Sequence, residues 1–314
     1  MGIAVENGGI LTTVQDEGRY GYQAYGVSTS GAMDSHAFHI ANILVGNSMT
    51  EGALEMTFMG PALRFTSDNI IAVTGGDLTP MLDGESLPMY RAVLVKAGQE
   101  LSFAGARNGC RGYIAFSGGL DIPEVMGSKS TLLRNKLGGL EGRKLEKGDE
   151  IAFSDPKTEL PRMQERKVPE NVYPKDEVVL RVVLGPQDAE FTERGIRSFF
   201  WDSGVITNEF DRMGCRIERE PIEHRGDGNI ITDGISLGSI QVPTNGKPII
   251  MLADRQSTGG YAKIGTVITV DLPRIAQSQP GQKIRFIEVS LELAQSLYIR
   301  ELNQMKVLDE KLNS

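Results

Sequence analysis

The chain has 314 residues, with 33 basic against 41 acidic side chains, a net charge of −8, 37 glycines and two cysteines. An acidic balance without a clustered basic face excludes a nucleic-acid binder, and 40% apolar content excludes a disordered chain. No apolar run approaches the ~18 residues of a spanning helix, and Met1–Thr13 has no basic leader, so a cytoplasmic protein with no membrane partner is expected.

The first dense polar cluster is Thr12-Thr13-Val14-Gln15-Asp16-Glu17-Gly18-Arg19. It leads through small residues to Asp34, which can N-cap a helix over Ser35–Val45 that Gly46 ends. Ala37, Ile40, Ala41, Leu44 and Val45 supply that helix with one apolar face. A small-residue loop entering a helix N-terminus suits an anion. The same Asp16, Arg19 and Asp34 serve equally well as ion pairs and caps that shape the loop.

Short branched runs bounded by turn residues predict strands at Ile70–Thr74, Arg91–Val95, Tyr113–Ser117, Val178–Leu184, Ile249–Leu252 and Val267–Asp271. The pattern Gly-[Gln/Asp]-x-[Leu/Ile]-x-Phe occurs at Gly98–Phe103, Gly148–Phe153 and Gly281–Phe286, each reading as a turn glycine before a strand. The last two copies lie roughly 130 residues apart, as do Gly60–Phe65 and Gly185–Phe191, which points to two copies of one β unit. Arg-x-Gly-Cys-Arg, at Arg107–Arg111 and Arg212–Arg216, recurs at a different offset.

Gly127-Ser128-Lys129-Ser130-Thr131 lacks the spacing of a phosphate loop. It reads either as an anion contact through Ser128, Lys129, Ser130 and Thr131 or as a solvated turn. Asp155–Lys175 holds four of the 14 prolines and many charges, and reads as an extended linker. The domains expected are therefore 1–157, a linker over 158–177, and 178–314.

In the second half, Asp211-Arg212-Met213-Gly214, Gln241-Val242-Pro243 and Asp254…Thr258-Gly259-Gly260-Tyr261 with Lys263 gather polar groups near strand ends. Leu291, Ala294, Tyr298, Leu302, Met305 and Leu312 have helical spacing and predict a C-terminal helix that packs on a core or a partner. His36, His39 and His224 make no metal triad, and no metal site is expected. Neither Cys110 nor Cys215 has an adjacent base.

In these residues the sequence resembles the biotin-dependent carboxyltransferase/allophanate hydrolase subunit 2 family, which includes the C-type subunit of 5-oxoprolinase and the Kip antagonist. The matching pieces are Thr13-Val14-Gln15-Asp16-x-Gly18-Arg19, Ser30-Gly31-Ala32-Met33-Asp34, Gly127–Thr131, Asp211–Gly214, Gln241–Pro243, Thr258–Tyr261 and Ala276-Gln277…Pro280-Gly281. Lys129 stands where arginine is expected, which keeps charge and loses two-pronged geometry.

The resemblance implies a mainly β protein of two cyclophilin-like β-barrel domains. It implies a component of an ATP-dependent 5-oxoprolinase, a hydrolase of a cyclic amide, active in a complex with a subunit 1 (Kip inhibitor-like) protein and a LamB/YcsF-like A-type subunit. The alternatives are a carboxyltransferase component for a urea-like substrate, or an antagonist that binds a Kip-type kinase inhibitor. ATP with Mg is expected at the level of the complex, and biotin only where a partner supplies it. Handling a planar amide or ureido group needs cations and donors at its oxygen. Asp16, Arg19, Asp34, Arg212, Asp254 and Lys263 are the catalytic candidates on that reading. Gln15, Gln241, Thr258, Gly259, Gly260 and Tyr261 are the substrate-binding candidates.

Overall fold

In the computed structural model, which describes residues 1–313, Gly98, Gly148 and Gly281 take φ of 89°, 93° and 90°. That conformation is open to glycine and costs other residues about 1 kcal/mol. Each glycine starts a strand two residues later, and the period-2 alternation buries Leu101 with Phe103, Ile151 with Phe153, and Ile284 with Phe286. One local pattern thus sets the inward face of three strands.

The chain forms two units. Unit 1 takes residues 1–19, 30–173 and the chain from Leu302 onward, and unit 2 takes 20–29 and 174–301. The strands of unit 1 are β1 (Gly2–Asn7), β2 (Leu11–Gln15), β3 (Ala53–Thr57), β4 (Ala62–Phe65), β5 (Asn69–Asp77), β6 (Pro80–Leu82), β7 (Glu85–Ser86), β8 (Ala92–Val95), β9 (Glu100–Phe103), β10 (Asn108–Phe116) and β11 (Glu150–Ala152). They pair as two sheets, in the orders β11-β1-β4-β9-β6-β7 and β2-β3-β10-β5-β8. Helix α1 (Ser35–Leu44) buries Ala37, Phe38, Ile40, Ala41, Ile43 and Leu44 in the shared core. Asp34 caps it, its Oδ1 accepting from the Ala37 N–H at 2.9 Å.

Unit 2 holds β12 (Glu177–Leu184), β13 (Gly204–Phe210), β14 (Gly214–Glu218), β15 (Asn229–Gly234), β16 (Ser239–Gln241), β17 (Ile249–Met251), β18 (Thr258–Tyr261), β19 (Lys263–Val267) and β20 (Lys283–Glu288). Seven of them close a barrel in the order β12-β19-β16-β17-β14-β13-β20, with β12 and β20 parallel. β15 and β18 form a separate two-stranded ribbon. Helices α2 (Glu193–Trp201), α3 (Leu272–Ala276) and α4 (Leu291–Asn313) complete the mainly β architecture expected from the sequence. No helix among the described residues is long and apolar enough to cross a membrane.

The strand expected over Val267–Asp271 is not there: β19 ends at Val267, and Thr269–Asp271 forms a single 3-10 turn. Asp271 must face inward to accept from the Arg181 backbone N–H, Nε and Nη2 at 2.8, 2.9 and 2.6 Å, and Pro273 then opens α3.

The stretch read as a linker is anchored within unit 1 as far as Tyr173. Buried Arg166 donates to the carbonyls of Ile43 and Leu44, and its Nη2 donates to Leu312 O and Asn313 Oδ1, each at 2.7 Å. It thereby caps the carbonyl ends of α1 and α4. On α4, Leu291, Tyr298 and Leu302 are exposed, whereas Met305 and Leu312 enter the core of unit 1.

Candidate functional site

The sequence-selected residues fall into one group in each unit. In unit 1, Asp16 Oδ1 accepts from the Gly18 N–H at 2.8 Å, from Ser128 Oγ at 2.7 Å and from Ser130 Oγ. Its Oδ2 accepts from the Lys129 N–H at 2.6 Å. Buried Arg19 donates from Nε to Val125 O at 2.8 Å and from Nη2 to Ser130 O at 2.9 Å. Gln15 Nε2 donates to Thr13 Oγ1 and Thr131 O, both at 3.0 Å. Thr131 Oγ1 donates to Val14 O.

The 128–131 loop does bind an anion, and that anion is Asp16. The Lys129 ammonium pairs with Glu51 Oε1 at 2.5 Å and donates to Leu120 O at 3.0 Å. The hydroxyls, the Lys129 N–H and the cation of the loop are thus engaged within the chain. In the structure Ser128, Lys129 and Ser130 hold the carboxylate of Asp16, while Thr131 Oγ1 donates to Val14 O.

Asp34 is set apart by its partners. Its backbone N–H donates to Tyr113 Oη at 2.7 Å, and its Oδ2 accepts from Tyr173 Oη at 3.1 Å. Tyr113 in turn donates to Glu55 Oε2 at 2.7 Å, and burial, reinforced by the charges of Glu55 and Asp34, pushes the Tyr113 phenol well above its usual range. Asp34 therefore fixes the start of α1 inside the core.

In unit 2, Arg212 and Asp254 form a two-pronged pair, Nε to Oδ2 and Nη2 to Oδ1, both at 3.0 Å. The Asp254 N–H also donates to Arg212 O at 2.8 Å, so backbone and side chains tie the entry of β14 to the loop after β17.

The neighbouring Arg255 is 5% exposed and has different partners. Its Nε donates to Ile235 O at 3.0 Å, and Nη1 donates to Thr29 Oγ1 at 3.2 Å and Leu252 O at 3.4 Å. Those acceptors are neutral, and no carboxylate pairs with it among the described residues. Burial holds the Arg255 guanidinium below its ordinary pKa, yet arginine remains a cation.

Arg255 lines a cavity of about 520 Å³ in unit 2, together with Lys263, Asp233, Thr258, Ser236, Ser239, Ser257, Gln23 and Ala24. That volume is within the range of about 300–1,000 Å³ usual for small-molecule sites. Lys263, 2% exposed, donates from Nζ to Asp233 Oδ2 at 2.7 Å and to Gly234 O at 2.9 Å. The Lys263 hydrogen bond, then the Gly234 N–H, hold the Asp233 carboxyl below the usual carboxylate range. A second cavity in unit 2, of about 470 Å³ between the barrel and α4, has an uncharged and mostly apolar lining that includes Leu184, Leu237, Ile268 and Tyr298.

Gln241 stands opposite Lys263 across β16 and β19. It is 5% exposed, and its Nε2 has no hydrogen-bond partner. A Cβ on Gly259 would lie 2.7 Å from that nitrogen, so only glycine leaves the amide its place. Thr258 lines the cavity, whereas Gly260 and Tyr261 run on along the ribbon opposite β15. The structure thus brings Lys263 and Thr258 to one cavity, with Gln241 and Gly259 beside them.

Asp233 and Arg255 are the groups that sequence reasoning did not select. Charge counting offers a signal for Arg255: Asp254 can neutralise one of Arg212 and Arg255, and the other is left over. Two histidines make structural contacts, His39 pairing with Glu17 at 2.7 Å and His224 Nε2 meeting Val242 O at 3.0 Å. Among the described residues no group of three or more His, Cys, Asp or Glu is placed to hold a metal ion.

The family model for the carboxyltransferase domain, subdomain A and B, matches residues 25–288. The chain is 37% identical over 287 residues to the C-type subunit of 5-oxoprolinase from Escherichia coli, covering 91% of each. It is 36% identical to the same subunit from Haemophilus influenzae, covering 95% of this chain and 96% of that one. Urea carboxylase of Kluyveromyces lactis superposes with a TM-score of 0.91 at 29% identity, covering 98% of this chain but 29% of that enzyme. Sequence match and barrel architecture agree, and the chain belongs to the carboxyltransferase family built from subdomains A and B.

Proposed function

We propose that this chain is the C-type subunit of an ATP-dependent 5-oxoprolinase complex that cleaves 5-oxoproline to glutamate. The observation that carries the reading is coextension. The relatives named as C-type subunits of 5-oxoprolinase match over nine-tenths or more of both chains, whereas the urea carboxylase match is a piece of a much larger enzyme. The partners proposed are a Kip inhibitor-like subunit 1 and a LamB/YcsF-like A-type subunit.

The cavity in unit 2 suits a small planar amide. The Lys263 ammonium and the Gln241 amide are donors of the kind that polarise an amide oxygen, and Thr258 adds a hydroxyl for orientation. Asp233 holds Lys263 in place. ATP, bound in the complex, supplies activation of the amide. Engagement of the 128–131 loop with Asp16 and Glu51 supports a nucleotide site on partner residues in this reading.

A second reading is carboxyl transfer to a urea-like substrate with biotin carried by a partner, favoured by the superposition on urea carboxylase over nearly the whole chain. The same donors suit a ureido oxygen. The test reconstitutes the chain with both partner subunits and measures glutamate formed from 5-oxoproline and ATP. Glutamate formation that falls at least 100-fold with Lys263→Met is the expected result. Carboxylation of urea without glutamate would transfer the chain to the second reading. Tight binding of subunit 1 with neither product would make it a regulatory antagonist.

A further inference from the structure

Buried cations in folded proteins are paired or, like Arg166, bonded through every nitrogen to neutral oxygens, and one that is neither, at a cavity wall, marks a place where an anion arrives. Arg255 is such a cation: three hydrogen bonds to neutral oxygens hold its plane, and its Nη2 makes none. Its neighbour Asp254 is already bonded by Arg212 through both carboxylate oxygens. The guanidinium is therefore rigidly held, desolvated and unneutralised, at the wall of the 520 Å³ cavity.

The charges on that wall fix the class of ligand. Arg255 and Lys263 contribute two positive charges and Asp233 one negative, and the rest of the lining is neutral. The sum is one positive charge, which complements a monoanion and not a polyphosphate. Asp233 neutralises Lys263, so the unmatched charge is at Arg255. Ser236, Ser239, Ser257 and Thr258 add hydroxyls to this wall, which suit an oxygen-bearing ligand.

We infer that Arg255 is the carboxylate anchor of this cavity, which takes a small monocarboxylate and turns its amide end toward Lys263 and Gln241. The inference rests on the proposed 5-oxoprolinase reading for the identity of the amide, and on the charge balance for the carboxylate. It also separates the two reactions, because urea is neutral and has no group for Arg255. The same carboxylate chemistry could be offered by bicarbonate, and the experiment distinguishes the two sources.

Binding is measured by equilibrium dialysis on the full chain in its reconstituted complex, with three probes: 5-oxoproline, its neutral carboxamide, and bicarbonate. The unmodified protein is expected to bind 5-oxoproline at least 10-fold more tightly than the carboxamide. Arg255→Gln is expected to weaken 5-oxoproline binding roughly 100-fold while leaving the carboxamide within about threefold. Arg255→Lys, which keeps the charge and loses the fork, should fall between the two.

Equal affinity of the unmodified protein for acid and carboxamide overturns the inference, and that result does not depend on whether any variant folds. Unchanged acid binding in Arg255→Gln overturns it as well. Saturable, Arg255-dependent bicarbonate binding with 5-oxoproline silent sustains the carboxylate anchor and overturns the lactam reading instead. Failure of the anchor and failure of the proposed reaction are thereby distinguishable.

Discussion

The Arg212 guanidinium meets the Asp254 carboxylate through two bonds of 3.0 Å, with side-chain exposures of 6% and 8%. A pair so buried is costly to break from one side, because the surviving charge keeps its desolvation penalty. Asp254→Asn should therefore destabilise unit 2 by about 3 kcal/mol, read as an earlier urea midpoint. The double change Arg212→Met with Asp254→Leu should recover most of that loss. A single-variant loss below about 1 kcal/mol would mean that the pair is solvated in solution.

Asp16 gathers four donors from Gly18, Ser128, Lys129 and Ser130. Asp16→Asn removes the charge and turns an N–H₂ toward some of those donors, at a cost of about 2 kcal/mol. Backbone exchange at Lys129 should accelerate at least tenfold. Millimolar phosphate should leave the exchange of the unmodified loop unchanged; protection by phosphate would restore the external anion site.

Gln241 gives the opposite sign. A buried donor without an acceptor is a local liability, so Gln241→Met should raise the thermal midpoint, by the equivalent of about 1 kcal/mol. Glutamate formation should fall at the same time, since the donor to the amide oxygen is gone. A variant both less stable and fully active would remove Gln241 from the site.

Asp149 provides a pH test in unit 1. The hydrogen bond from Arg143, foremost, holds its carboxyl below the ordinary 3.8, with the Glu146 N–H assisting. A depressed folded-state pKa contributes stability above 3.8 that is lost as pH falls through the lower folded value. The stability gap between the unmodified protein and Arg143→Met should be full at neutral pH and close progressively below 3.8. A gap that widened in acid would reverse the assigned direction.

Local patterns were legible in the sequence wherever one residue type decides the backbone. Asp34 at the start of α1, and glycines 98, 148 and 281 before their strands, act through neighbours within four residues. Thr258 and Lys263 lie close in sequence, at the starts of β18 and β19, and line one cavity. The role of Asp16 was not legible, because its donors at 128–130 lie more than a hundred residues along the chain. The role of Arg255, within the polar stretch that begins at Asp254, was not legible because its significance is a missing partner. Only the folded geometry shows that Asp254 turns to Arg212 and away from its own neighbour. Val267–Asp271 misled because its branched residues favour a strand, while the Arg181–Asp271 pair demands a turn.

Arg166 has a consequence for the order in which the protein is assembled on the ribosome. Its Nη2 acceptors, Leu312 and Asn313, are translated after the whole of unit 2, as are the core residues Met305 and Leu312. Unit 1 must wait, with an arginine and an apolar notch uncovered, until roughly 130 further residues have emerged. Unit 2 has no such delay, since Tyr20–Thr29 is made long before it. The later-made unit is therefore the first to be complete, and the nascent first unit is the one that needs protection from premature association.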